Sequence, residues 1–136
     1  MIYIYCGTWI HQESGEVRWS YLEEDWRNAP RSRSGHRAGG TTWIAPLWAS
    51  TDALGRHPCR ENIWFFIDSE YVAKGIRCRS LRSQPKVSGA AAALLDSAWE
   101  ALDKAAARHQ IEWVWYDRSM VLSCYKVMQK TKRKAL

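Results

Sequence analysis

The sequence predicts an α/β domain: a five-stranded mixed sheet, three antiparallel strands followed by parallel ones, with helices on both faces. Three observations carry that expectation. The opening segments "MIYIYCGTW" and "EVRWSYLEEDW" alternate apolar and polar residues, which is the period of a strand. The stretch "NIWFFIDSEYVAKGI", residues 62–76, reads as a buried strand running directly into a helix start. The segment "LLDSAWEALDKAAARHQIEWVWY" joins the clearest helix of the chain to another alternating strand. Alternation of strands and helices of this kind is the signature of a sheet covered by helices.

Taken in order, residues 2–9 form strand 1, "HQESG" is a turn, and residues 16–26 form strand 2, antiparallel to the first. A turn is expected at Asn28-Ala29-Pro30, followed by a polar, Gly-rich and weak third strand that ends in "SGHRAGGTT". "WIAPLWASTDALGRH" is the first helix, with Pro46 in its first turn, where a missing N–H costs little. Strand 4 spans 62–67 and a helix follows over 69–79, where Asp68-Ser69-Glu70 supplies the residue types that cap a helix start. Residues 80–92, with Pro85 and Gly89, form a basic connector. Leu94, Leu95, Ala98, Trp99, Leu102 and Ala106 recur at helical spacing. "QIEWVWY" is strand 5, and Val121, Leu122, Tyr125 and Met128 mark one side of a last helix over 121–132.

Length and composition narrow the class. At 136 residues the chain makes one domain, 1–136, large enough to bury a core. An apolar share of 46% with 25% charged residues excludes a mainly disordered chain. The net charge of +6 favours anionic partners, nucleic acid before acidic membrane surface. That charge concentrates in Arg27 to Arg37, Arg77 to Lys86 and Lys126 to Lys134. Cys6, Cys59, Cys78 and Cys124 are widely spaced without a CxxC, and the start lacks the basic and apolar regions of a secretory leader. Reduced thiols and an intracellular location, cytoplasm or organelle, are therefore expected. No segment is long enough to span a membrane. His57-Pro58-Cys59 has two ligand types but no second pair at matching spacing, so it reads as a loop.

Asp68 raises the chemical question. An aspartate at the C-terminal end of a buried strand is where α/β proteins often hold chemistry. Alone it caps a helix; with two or three more acids it binds metal. The quoted segments resemble the ribonuclease H family. "IDSEYVAKGI" is similar to that family's second metal-ligand motif, and "LDSAWEALDKAAARHQIEWVWY" to its fourth helix and fifth strand. "SGHRAGGTT" is similar to the third strand and the Thr-Thr that opens the first helix, and "IYIYCGTW" sits where the family has a strand ending in Asp-Gly-Ser. The resemblance implies a ribonuclease H-like fold. It also implies cleavage of the RNA strand of an RNA–DNA hybrid by two divalent ions held on four carboxylates.

Three of those four positions depart from the pattern. Cys6 stands at the end of strand 1, Leu47 where the first helix carries Glu, and Tyr125 where the last helix carries Asp. Asp68 is kept, and Asp117 after strand 5 is the one nearby acid that offers a substitute ligand. A thiol and two carboxylates suit soft ions better than magnesium. No cofactor is expected, Mg²⁺ or Mn²⁺ entering only if the chain is active. What the resemblance leaves is a nucleic-acid surface: Gly7 and Thr8, Thr41 and Thr42, and the basic residues Arg77, Arg79, Arg82 and Lys86. Cations there would neutralise phosphates while hydroxyls and N–H groups fix register.

Of the nine tryptophans, Trp99, Trp113 and Trp115 match core positions of the family. Trp9, Trp26, Trp43 and Trp48 do not, and form a Trp-rich face for stacking bases or for a protein partner. Three readings follow. The first is an inactive ribonuclease H-like domain that binds RNA or RNA–DNA hybrid. The second is a structural or interaction subunit of a ribonucleoprotein assembly. The third is a metal-dependent ribonuclease H with relocated ligands.

Overall fold

The structure is a computed structural model that describes residues 1–116. The helix expected over 121–132, and with it Tyr125 and Asp117, lie outside the described residues.

Strands β1 (Ile2–Ile10), β2 (Val17–Asp25) and β3 (Asn28–Arg37) form an antiparallel meander, and β4 (Asn62–Ile67) and β5 (Gln110–Trp115) add in parallel. The sheet order is β3-β2-β1-β4-β5, so β1 is central and β3 and β5 are edges. The first turn is set by Gly15, whose φ of 69° lies in the left-handed region that residues with a Cβ avoid. The second turn falls at Trp26-Arg27, not at Asn28-Ala29-Pro30 as the sequence suggested. Asp25 closes it earlier, accepting from the Arg27 amide at 3.1 Å. Pro30 is then tolerated inside β3 because an edge strand can do without one ladder donor.

Alternation puts Ile2, Ile4, Cys6, Val17, Trp19, Tyr21, Ile63, Phe65, Ile67 and Trp113 on one face. They form a single core with helices α1 (Ala45–Gly55), α2 (Glu70–Arg77) and α3 (Ala90–Ala107). Complete burial of Phe65, Leu47 and Leu102 stabilises the fold by about 1.5–3 kcal/mol per side chain before entropy is counted. The other face carries a stack of rings around Phe66, with Tyr5 at 4.8 Å and Tyr116 at 4.9 Å between centroids.

Helix α1 has Pro46 in its first turn, as its fixed φ favours. It is buried from Ala45 to Ser50, and its hydroxyls are satisfied internally: Ser50 Oγ donates to Pro46 O at 2.7 Å and Thr51 Oγ1 to Leu47 O at 2.8 Å. That burial corrects the reading of Trp48, which belongs to the core at 8% exposure. Trp115 is corrected in the opposite direction. It ends the edge strand β5 and is 47% exposed. The connector is also more ordered than expected: Arg79–Ser83 form a 3-10 turn and α3 begins at Ala90. Among the described residues no helix is long and apolar enough to cross a membrane.

Candidate functional site

The parallel register pairs Cys6 with Ile67, so the strand ends bring Cys6 beside Asp68 as the sequence predicted. Pairing between β1 and β4 stops there. The next β1 amide on that side, Thr8 N–H, donates instead to Asp68 Oδ2 at 3.3 Å. Asp68 thus continues the ladder with its side chain. It does not cap α2: Ser69 does, accepting from Val72 N–H at 3.2 Å, because a hydroxyl one residue closer to the helix has the shorter reach. Glu70 is exposed and pairs with Lys74 one turn on.

Leu47 is fully buried in the first turns of α1. Cys6 is fully buried too, and burial first, then the charges of Asp68 and Asp52, push its thiol well above the ordinary range. Asp52 is engaged elsewhere, accepting from Trp19 Nε1 at 3.2 Å and lying 3.7 Å from Arg56. A protonated thiol, a leucine and Asp68 do not fit a hard divalent cation, which requires several oxygen ligands in near-octahedral array. Among the described residues no group of three or more His, Cys, Asp or Glu could hold a metal ion.

The expected binding residues separate into two sets. Gly7 and Thr8 lie within β1, paired with Ser20 and Trp19. Thr41 and Thr42 are exposed in the turn before α1, where Thr41 O accepts from Ala45 N–H at 3.0 Å. Lys86 is exposed. Of the connector arginines, all three find partners within the protein and Arg82 is drawn inward. Arg82 makes a bidentate pair with Asp103 at 2.7 and 2.9 Å, donates through Nε to Gly75 O at 2.9 Å, and lies 4.1 Å over the Trp99 ring. Arg79 reaches the same carboxylate at 3.2 Å, and Arg77 donates to Trp113 O at 3.0 Å. No local spacing links Arg82 to Asp103, 21 residues on, so sequence reading had no signal for this clamp.

The Trp-rich face does not exist as one surface. Trp48 is buried, and Trp26, 82% exposed, sits at the turn after Asp25, which pairs with Ile2. Trp9 pairs with Arg18 at the other end of β1. Trp43 lies against α2, beside the site. It is 43% exposed and sets its edge against Tyr71 at 5.2 Å. Tyr71 continues a chain inward, accepting from Trp99 Nε1 at 2.7 Å and donating to Arg82 O at 2.6 Å.

A second polar cluster, missed by the sequence reading, lies at the opposite end of the sheet. Glu23, nearly buried, hydrogen-bonds His57, and the Glu61 amide donates to His109 Nδ1 at 3.1 Å. Burial, and then His57, lower the pKa of His109, which suits an imidazole that must keep Nδ1 as an acceptor. These partners come from β2 and from the loops before β4 and β5, and no spacing in the sequence links them; His57 was read only beside Cys59, which is exposed.

No protein-family model matches the chain, and a sequence search among curated proteins finds no match. Solved structures do match in shape. The N-terminal RNase H domain of rv2228c from Mycobacterium tuberculosis aligns with a TM-score of 0.67 at 12% identity, over 99% of this chain and 98% of that one. LC11-RNase H1 in complex with an RNA/DNA hybrid aligns with a TM-score of 0.64 at 14% identity, over 88% of each chain. LC9-RNase H1, a type 1 RNase H with the type 2 active-site motif, aligns at 0.61 and 19% identity, over 86% of this chain and 63% of its own length. The fold is therefore ribonuclease H-like.

Proposed function

We propose that this chain is a ribonuclease H-like module that binds nucleic acid, RNA or RNA–DNA hybrid, without cleaving it. The observation that carries the reading is the end of the sheet itself: Cys6 and Leu47 are fully buried there, and Asp68 is engaged by the Thr8 amide. A site that activates water between two ions needs carboxylates facing solvent, and a buried thiol and leucine supply neither charge nor access. The binding half of the reading is supported by the net charge of +6 and by a structural neighbour that holds an RNA/DNA hybrid. On this reading the exposed Thr41, Thr42 and Lys86 meet the sugar–phosphate backbone, with Trp43 beside them as an aromatic surface.

The test is a hybrid-cleavage assay in Mg²⁺ and in Mn²⁺ beside a binding titration over a range of salt. No strand cleavage above background is expected, with affinity that falls steeply as salt rises. Turnover that disappears in Asp68→Asn would overturn the non-catalytic half and revive a metal-dependent nuclease with relocated ligands. The second reading, an interaction subunit of a ribonucleoprotein, is favoured by one feature. A mostly apolar cavity of about 270 Å³ lies beside Trp43, lined by Ile44, Val87, Ala91 and Leu95 among others. Absence of salt-dependent binding to any nucleic acid would shift the balance to it.

A further inference from the structure

In the connector Arg82 is held inside the fold and shares Asp103 with Arg79, and a separate row of cations lies on the edge strand β3. Edge strand β3 places Arg31, Arg33 and Arg37 on one side, opposite Glu23, Tyr21 and Val17 of β2. Gly35 fills the remaining position of the row, opposite Trp19, whose ring occupies the space a Cβ would need (2.5 Å from Trp19 Cε2). Arg31 and Arg37 are exposed and Arg33 is half-buried. Among the described residues none of the three forms a salt bridge, whereas Arg18, Arg27, Arg56, Arg79 and Arg82 all do.

Residues two apart on a strand stand about 6.8 Å apart. Arg31 and Arg33 are thus about as far apart as successive phosphates along an extended single strand of nucleic acid, and Arg37, four residues beyond Arg33, is about two such steps further on. The row ends at a cavity of about 300 Å³ between β2, α1 and α3, lined by Trp19, Arg37, Trp48 and Asp52 among others. Arg37 sits over the Trp48 ring, its Cζ 4.2 Å from the centroid, and both residues line the cavity as a planar cation and an aromatic on which a base can stack. A duplex keeps its bases stacked and paired, while an unpaired strand can turn a base onto such a plane.

We propose that the β3 edge binds single-stranded nucleic acid, with phosphates on Arg31, Arg33 and Arg37 and an unpaired base against Arg37. The proposal rests on the nucleic-acid reading above and moves its main electrostatic contact from the connector to β3. Guanidinium groups suit phosphate because each offers several donors in a fixed plane.

The experiment measures binding of fluorescently labelled single-stranded RNA, single-stranded DNA and RNA–DNA hybrid across a KCl series. It uses the parent chain, the triple variant Arg31→Gln, Arg33→Gln, Arg37→Gln, the corresponding triple Lys variant, and Lys86→Gln. Thermal unfolding of each variant establishes that it is folded. The Gln triple should lose about tenfold or more in affinity for single strands, with a log–log salt slope shallower by about 0.7 per contact removed. The Lys triple should retain the slope, because each charge remains, and Lys86→Gln should change it by no more than one contact. As a readout independent of folding, ultraviolet crosslinking of a thiouridine-bearing RNA to the parent should label residues of β3 or Trp48. A parent that binds single strands with an unchanged slope in a folded Gln triple overturns this inference and leaves the binding reading standing. Crosslinks confined to the connector overturn it in the same way. A parent that binds hybrid but not single strands overturns the choice of partner. A parent that binds no nucleic acid overturns the underlying reading, and this inference with it.

Discussion

The connector after α2 and the edge strand β3 are built from the same parts and use them in opposite directions. Each sets an arginine on a tryptophan, Arg82 on Trp99 and Arg37 on Trp48, and each has a glycine under an indole, Gly75 under Trp99 and Gly35 under Trp19. In the connector an acid, Asp103, has come within reach, and it takes both Arg82 and Arg79. Along β3 no acid meets the row in a salt bridge among the described residues, and Arg31 and Arg37 are exposed while Arg33 is half-buried. A cluster of positive residues in a sequence therefore says little about binding until the position of the nearest carboxylate is known. Of the two basic segments compared, the one the sequence resemblance placed on nucleic acid is the one in which an arginine, Arg82, is built into the fold.

The contrast is broken most directly at Arg82. Arg82→Ala removes a bidentate ion pair, the bond to Gly75 O and the stack on Trp99 from a side chain only 16% exposed. The expected loss is about 2–4 kcal/mol, measured by urea unfolding. Arg82→Lys should recover little of it, since an ammonium cannot reproduce the planar fork. An Arg82→Ala variant as stable as the parent would show that the connector is as much a free surface as β3.

The glycines come next. A Cβ at Gly35 would stand 2.5–2.6 Å from Trp19, and one at Gly75 would stand 2.6 Å from Trp99 and 3.2 Å from Arg82 Cγ. Each Gly→Ala variant should lose about 1–3 kcal/mol through overpacking. At Gly75 a gain of up to about 1 kcal/mol in helix propensity offsets part of that loss. Gly35→Ala should thus lower the unfolding midpoint more than Gly75→Ala, a difference that calorimetry on the two variants resolves.

The smallest effect separates the two arginines that share Asp103. Arg79 is 79% exposed at its side chain, so Arg79→Ala should change stability by no more than about 0.5 kcal/mol by urea unfolding, against the much larger loss at Arg82.

The antiparallel-then-parallel sheet was legible from the alternating and apolar runs of its strands, and the juxtaposition of Cys6 with Asp68 from the resemblance of those strand ends to the family's motifs. Strand β3 was expected to be weak yet runs for ten residues. Its side facing the helices carries Arg31, Arg33, Gly35 and Arg37, so it has no apolar alternation to read, and its length comes from pairing with β2. Trp48 was placed outside because it matches no core position of the resembled family, but the Ser50 and Thr51 hydroxyls that follow it bond back to the preceding helical turn and let α1 sink into the core. Asp68 and Ser69 are both capping residue types, and only the ladder geometry assigns them different roles. The clamp at Asp103 and the paired histidines were illegible for one reason: their partners lie on elements distant in sequence, where no periodicity connects them.

The exposed edge has a consequence for how copies of the chain behave towards one another. A strand at the rim of a sheet offers unpaired N–H and C=O groups along its length, a template on which a second copy can add its own strand. Three arginines spaced along that rim keep two such edges apart by mutual repulsion. Concentrated protein should stay monodisperse at low ionic strength, where the Debye length is about 30 Å at 0.01 M, and lose that protection as salt shortens it to about 3 Å at 1 M. The side chains proposed to bind a polyanion would thus also govern colloidal stability.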